Sequence, residues 1–142
     1  MVAYSFKGRF VEPIKARTKR QTIRKPGKKR HARPGDTLQI YTGDRFHPKK
    51  VGEATCETAR PICLGFRQTT AGGIRRPFVT FGDPRDAKAA DILITPAELD
   101  DFARSDGFAS WDDLEAFWFE THGGEPEFEG VIITWGDTFV AS

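Results

Sequence analysis

The chain has little of what would tie it to a membrane, a disulfide framework or a metal. Among its 142 residues no apolar run approaches the ~20 needed to span a bilayer. The opening MVAYSFKGRF lacks the apolar stretch of a secretory leader. A cytoplasmic protein without a membrane partner is therefore expected. Cys56 and Cys63 are the only cysteines. A disulfide is not expected in that compartment. Their offset fits no familiar zinc knuckle, and none of His31, His47 and His122 lies within a few residues of either. Both are read as buried free thiols that act as small apolar residues, and no metal or cofactor is expected. A glycine-rich phosphate loop of the Rossmann or P-loop type is missing too. So is the strict strand–helix alternation of a doubly wound fold.

Acidic residues are scarce in the first part of the chain. Residues 1–50 hold 15 Lys and Arg against 3 Asp and Glu, and residues 51–142 hold 7 against 17. The overall charge of +2 conceals these opposed blocks. The densest basic stretch runs from Thr18 to Asp36, TKRQTIRKPGKKRHARPGD. Such clustering is the footprint of phosphate recognition, because each neutralised phosphate releases condensed counterions. Many basic runs are only solvated faces. This one contains Thr22-Ile23 and ends in the turn signal Arg33-Pro34-Gly35-Asp36, directly before the apolar alternation of Leu38 and Ile40. It reads as folded structure carrying charge, with an RNA, a DNA or a nucleotide as partner. Arg17, Lys19, Arg20, Arg24, Lys28, Lys29 and Arg30 are expected to form one continuous basic surface along a cleft.

The length suits one domain, residues 1–142, with 12 Phe and 3 Trp as large core side chains. Strands are expected at 2–6, 37–42, 51–62 (closed by Pro61) and 128–135, and a short helix at 10–16. Two further helices are well signalled. Thr95-Pro96-Ala97-Glu98 is a capping box with Pro at the first helical position, and Gly107 stops that helix. Ser110 caps the next, Asp112 and Asp113 suit its dipole, and Gly123-Gly124 end it. Its Trp111 and Trp118 read as packing residues, and His122 as a C-terminal cation. The stretch 68–86, with Ala71-Gly72-Gly73 and Arg75-Arg76, reads as a flexible basic lip over the site or as an ordered hairpin. The pattern gives an α+β domain with a curved sheet or small barrel.

Lys19 and Thr22 are the pair with chemical potential. A Thr hydroxyl becomes a nucleophile when a neighbouring base takes its proton. Lys serves as that base when desolvation or nearby cations depress its pKa, and Arg17, Arg20, Arg24 and Lys25 crowd it here. The competing reading is an ordinary strand Thr beside an exposed Lys. Tyr41 and Arg45, after a strand, are placed to stack on or pair with a base.

The segment Ile14 to Arg24, IKARTKRQTIR, resembles the signature of ASCH domains, a family with a small barrel similar to the PUA RNA-binding domain. Its usual pattern is Gly-x-Lys-x-x-Glu-x-Arg. Lys19 and Arg24 match, while Arg17 stands at the Gly and Thr22 at the Glu. The turn Arg33–Asp36, the strand LQIYTG, the block SDGFASWDDLEAFW and the final FEGVIITW also look like the family, leaving a longer middle from about 60 to 91. The resemblance implies a PUA-like β-barrel with flanking helices that acts on RNA or modified nucleosides. One small bacterial branch hydrolyses the amide of N4-acylcytidines with a Lys and a Thr in Lys-x-x-Thr, and a Glu. These would be Lys19, Thr22 and, one methylene shorter than the Glu, Asp106. In that reading Lys19 is the general base, Thr22 the nucleophile and Asp106 the acid that relays a proton to the exocyclic amine. Arg17, Arg20, Arg24, Lys28, Lys29, Arg30, Tyr41 and Arg45 would contact the substrate. Other members are described as ribonucleases or as RNA binders without catalysis, and these remain the alternatives. By its own sequence context Asp106 is equally a turn residue before Gly107.

Overall fold

The computed structural model of the protein describes residues 1–82 and 85–142. Eleven strands and three α-helices are assigned among them: β1 (Val2–Phe6), α1 (Val11–Lys15), β2 (Gln21–Arg24), β3 (Thr37–Thr42), β4 (Lys49–Thr55), β5 (Thr58–Gly65), β6 (Gln68–Thr70), β7 (Gly73–Arg75), β8 (Phe78–Phe81), β9 (Ile92–Leu93), α2 (Pro96–Ser105), α3 (Trp111–His122), β10 (Glu127–Thr134) and β11 (Val140–Ala141). The architecture is α+β. One sheet runs β1-β3-β4-β11, with β1 and β3 parallel, and a second runs β2-β10-β5-β8-β9, antiparallel throughout. Among the described residues no ladder closes these sheets into a barrel; β6 and β7 form a separate hairpin. Of the expected curved sheet or small barrel, the described ladders give two sheets.

The two sheets share one apolar cluster, in which Ile14, Leu38, Leu64, Val79, Leu114 and Ile133 are fully covered. Trp135, just past β10, lies edge-on to Phe6 of β1 and bridges the sheets (centroids 6.1 Å apart). The strand expected over 51–62 is two strands. The chain leaves the first sheet at Cys56, whose N–H donates to Asp36 O, and joins the second at Glu57, whose N–H donates to Thr134 O. Pro61 does not close a strand but lies inside β5, opposite Val131. The β8 ladder ends beside it at Ile62–Phe81, and Pro61 O accepts from Gly82 N–H. A proline, lacking an N–H, is tolerated where pairing on one side has stopped.

The helices begin and end where their signals lie. Thr95 and Glu98 of α2 exchange both capping-box bonds, and Ser110 Oγ accepts from Asp113 N–H at the start of α3. Both cysteines are buried free thiols. The described residues of the segment 68–86 form no lip over the site. The segment supplies the hairpin and then β8, whose Val79 and Thr80 are buried, and no described residue of it borders the cavity described below. Asp83 and Pro84, within that segment, lie outside the described residues.

Candidate functional site

A tight crossing sets up the site. After α1 the chain reverses at Arg17, whose φ of +66° is a left-handed conformation that few non-glycine residues adopt. The Arg17 guanidinium steadies it by donating to Phe139 O (2.7 Å) and Asp137 O (3.2 Å). Lys19 and Arg20 are then clamped from three sides. Lys19 N–H donates to Pro13 O of α1, Arg20 N–H to Ser105 O at the end of α2, and Trp135 N–H to Arg20 O. β2 follows, with Thr22 opposite Ile133 of β10. The non-local ladder makes this basic run a buried strand: Gln21, Thr22 and Ile23 are all covered.

Lys19 is only 2 % exposed, against the exposed cleft residue that a basic run suggests. Its stem lies between aromatic rings, with Nζ 4.6 Å from the Phe10 centroid and 5.5 Å from that of Phe6. Nζ donates to the backbone carbonyl of Asp106 (2.5 Å) and stands 3.7 Å from its carboxylate Oδ1. Asp106 is the C-cap of α2 and 3 % exposed. Gly107 follows with φ +93°, and a Cβ there would sit 2.9 Å from Lys19 Cδ and 3.0 Å from a Phe10 ring carbon. Only a glycine allows both the turn and the close pass of the lysine stem.

Burial governs the electrostatics. It pushes Lys19 down to about 8, against the pull of Asp106, and raises Asp106 to about 6, against Lys19, Gln21 and Arg24. Each charge is poorly solvated, and the pair repays only part of that cost. Gln21 faces the carboxylate closely enough to lower it, yet neither Gln21 Nε2 nor Asp106 Oδ1 completes a hydrogen bond. Arg24 donates through Nε to Thr22 Oγ1 (3.0 Å) and through Nη2 to Ser5 O (2.8 Å), with its guanidinium over Phe6 and Tyr4. Because Thr22 Oγ1 accepts from Arg24, its own proton is free to be given away.

These groups open on one cavity of about 580 Å³, bordered by Lys19, Thr22, Arg24 and Asp106. Its walls are aromatic: Phe6, Phe10, Phe108, Phe117, Trp118 and Phe128. That volume is typical of small-molecule sites. Six of the expected binding cations are elsewhere. Arg17 and Arg20 border a separate depression with Arg104 and Ser105, and Arg20 pairs with Asp137 (3.4 Å). Arg30 is tied to Asp36 (3.1 Å) on the exposed loop between β2 and β3 that also carries Lys28 and Lys29. Tyr41 is half-buried in β3, Arg45 is exposed beside Phe46 (5.9 Å to the ring), and neither borders the cavity. The single basic surface is therefore not formed. The left-handed turn at Arg17 and the short β2 send these side chains to different faces.

Five polar cavity residues had no sequence signal for this role: Ser5, Lys7, Glu120, Thr121 and His122. His122 is more than a helix-end cation, for its ring packs against Trp118 (5.4 Å) and Phe128 (5.1 Å) at the cavity edge. Trp118 does pack in the core, as expected, and also forms part of the wall. Among the described residues no group of three or more His, Cys, Asp or Glu is arranged to hold a metal ion, and no helix is long and apolar enough to cross a membrane. Compared with known proteins, the chain matches no protein-family model, no curated protein and no solved structure.

Proposed function

We propose that this chain is a single ASCH-type, PUA-like domain that hydrolyses the amide of N4-acylated cytosine, with Lys19, Thr22 and Asp106 as its working groups. The observation that carries the reading is their convergence, from distant parts of the sequence, on one aromatic-walled cavity in which burial depresses the lysine. Two details add support. Arg17, at the family's glycine position, has φ +66°, the region that glycine favours. Asp106 is one methylene shorter than the family's Glu, but the end of α2 brings its own backbone carbonyl to 2.5 Å from Nζ.

Neutral Lys19 takes the Thr22 hydroxyl proton, and Thr22 Oγ1 attacks the acyl carbonyl. Arg24, already 3.0 Å from Oγ1, is placed to stabilise the oxyanion. As the tetrahedral adduct collapses, the C–N bond breaks and the proton held on Lys19 passes to the exocyclic nitrogen, releasing cytidine. Water, deprotonated by the same lysine, then cleaves the acyl-threonine to a carboxylate and regenerates the hydroxyl. Asp106 Oδ1 is sealed from solvent, so this carboxylate serves the relay through Lys19, holding the ammonium between transfers.

The test is incubation of the protein with N4-acetylcytidine and chromatographic detection of cytidine. Release is expected, and Lys19→Met or Thr22→Val should reduce it at least about 100-fold, the scale of general-base loss. Because Lys19 acts when neutral, kcat/KM should climb with pH and level off above about 8. No cytidine release, together with tight binding of single-stranded RNA, would replace this reading with non-hydrolytic RNA binding.

A further inference from the structure

The cavity has two chemically different ends. Lys19, Thr22 and Asp106 are covered, whereas Lys7, Lys25 and His122 border the same space from its solvent-exposed rim. These three come from separate elements: Lys7 follows β1, Lys25 follows β2, and His122 ends α3. Neither ammonium pairs with a carboxylate among the described residues. Lys7 Nζ lies 5.3 Å from the Phe117 centroid, and the His122 ring is braced by Trp118 and Phe128. Lys25 and His122 also border an adjoining chamber of about 270 Å³, so the rim continues past the cavity mouth. Among the described residues Glu120 is the one exposed carboxylate that borders the first cavity, while Glu125, Glu127 and Glu129 border the adjoining chamber.

We infer that Lys7, Lys25 and His122 form a phosphate subsite, so that the cavity takes a cytidine nucleotide unit rather than the bare nucleoside. The inference rests on reading the cavity as a pyrimidine pocket. Spacing supports it. Lys25 is three residues beyond Thr22, about 10 Å along extended chain, a span of the order of a base plus its ribose. A base whose exocyclic group meets Thr22 would therefore leave its phosphate near Lys25. Burial lowers the His122 pKa, and Lys25 and Lys7 lower it further, which places both cations within Coulombic reach of the imidazole. Two unpaired ammoniums on one rim suit a phosphate, which supplies several acceptor oxygens to lysines acting as point charges. The phosphate is either that of a free mononucleotide or one within RNA.

Calorimetric titration separates the outcomes, with cytidine, cytidine 5′-monophosphate and a short cytidine-containing oligoribonucleotide as probes. The monophosphate is expected to bind at least tenfold tighter than cytidine, and the advantage should shrink as salt rises. In the double variant Lys7→Gln/Lys25→Gln the ratio should fall close to one. Tighter binding of the oligoribonucleotide than of the monophosphate identifies RNA as the phosphate source, and the reverse identifies the free nucleotide. Equal affinity for cytidine and its monophosphate overturns the subsite, as does a ratio that survives in the variant. Binding of none of the three probes overturns the subsite and the pyrimidine pocket together. A tenfold ratio in the parent protein that is lost in the variant, without N4-acetylcytidine turnover, supports the subsite and removes only the hydrolase.

Discussion

Lys19 and Asp106 show at the scale of single residues what the burial of two opposite charges does. Each is more than nine-tenths covered and each is displaced toward its neutral form, the lysine to about 8 and the carboxyl to about 6. The lysine is depressed from an ordinary value of 10.5, so the unfolded chain binds more protons between about 8 and 10.5 and stability rises with pH there. The carboxyl is raised from 3.8, so the folded chain binds more protons up to about 6 and stability falls with pH there. Both charges are present and buried between about 6 and 8, where the pair is a net cost. The double variant Lys19→Met/Asp106→Asn should therefore be inactive yet more stable at pH 7, by about 1–4 kcal/mol. Urea unfolding across pH should show its advantage greatest between 6 and 8 and narrowing on both sides. A double variant less stable than the parent at pH 7 would contradict that account.

At the scale of elements, the end of α2 positions the candidate site. The helix places Asp106 at its C-cap, and Ser105 O holds Arg20 N–H at the entry to β2. Gly107 turns the chain away at φ +93° with the Lys19 stem lying against it. Gly107→Ala adds a left-handed penalty of roughly 1–2 kcal/mol and a clash with Lys19 Cδ. The expected result is a lower urea midpoint together with at least a tenfold fall in kcat for N4-acetylcytidine. The mirror case is the capping box at the other end of α2. Thr95→Ala should cost about 1 kcal/mol and leave kcat within twofold, because that cap is ten residues from Ser105 along the helix and borders no part of the cavity.

Across the whole molecule the two oppositely charged halves are built into each other. β10, from the acidic half, lies between β2 of the basic half and β5. Arg9–Asp113, Lys19–Asp106 and Arg20–Asp137 join the halves. The first and last are exposed pairs of little worth in water. Cohesion comes instead from the shared core, where Ile133 of β10 is fully covered. Ile133→Ala should cost about 2–5 kcal/mol and lower the urea midpoint in a single transition, coincident by fluorescence and far-ultraviolet circular dichroism. Two separated transitions would show that the halves unfold independently.

What the sequence determined by itself is what local chemistry sets. The caps at Thr95 and Ser110, the alternation of 37–42 and the strand 2–6 rest on signals within a few residues of each other, and the structure has each of them. Lys19 and Thr22 were legible as a pair because they lie three positions apart. Tertiary structure decided the rest, since it depends on partners far along the chain. The strand expected over 51–62 breaks at Cys56 because Asp36 and Thr134 offer acceptors in different sheets. A run that reads as exposed and basic becomes a covered strand because β10 pairs with it. Arg17 and Arg20 leave the cavity because a left-handed residue and the carbonyls before β11 take them elsewhere. Charge density along a chain measures how much charge there is. Only the packing of distant elements sets which charges lose their water, and that loss moves the pKa values of Lys19 and Asp106 toward each other.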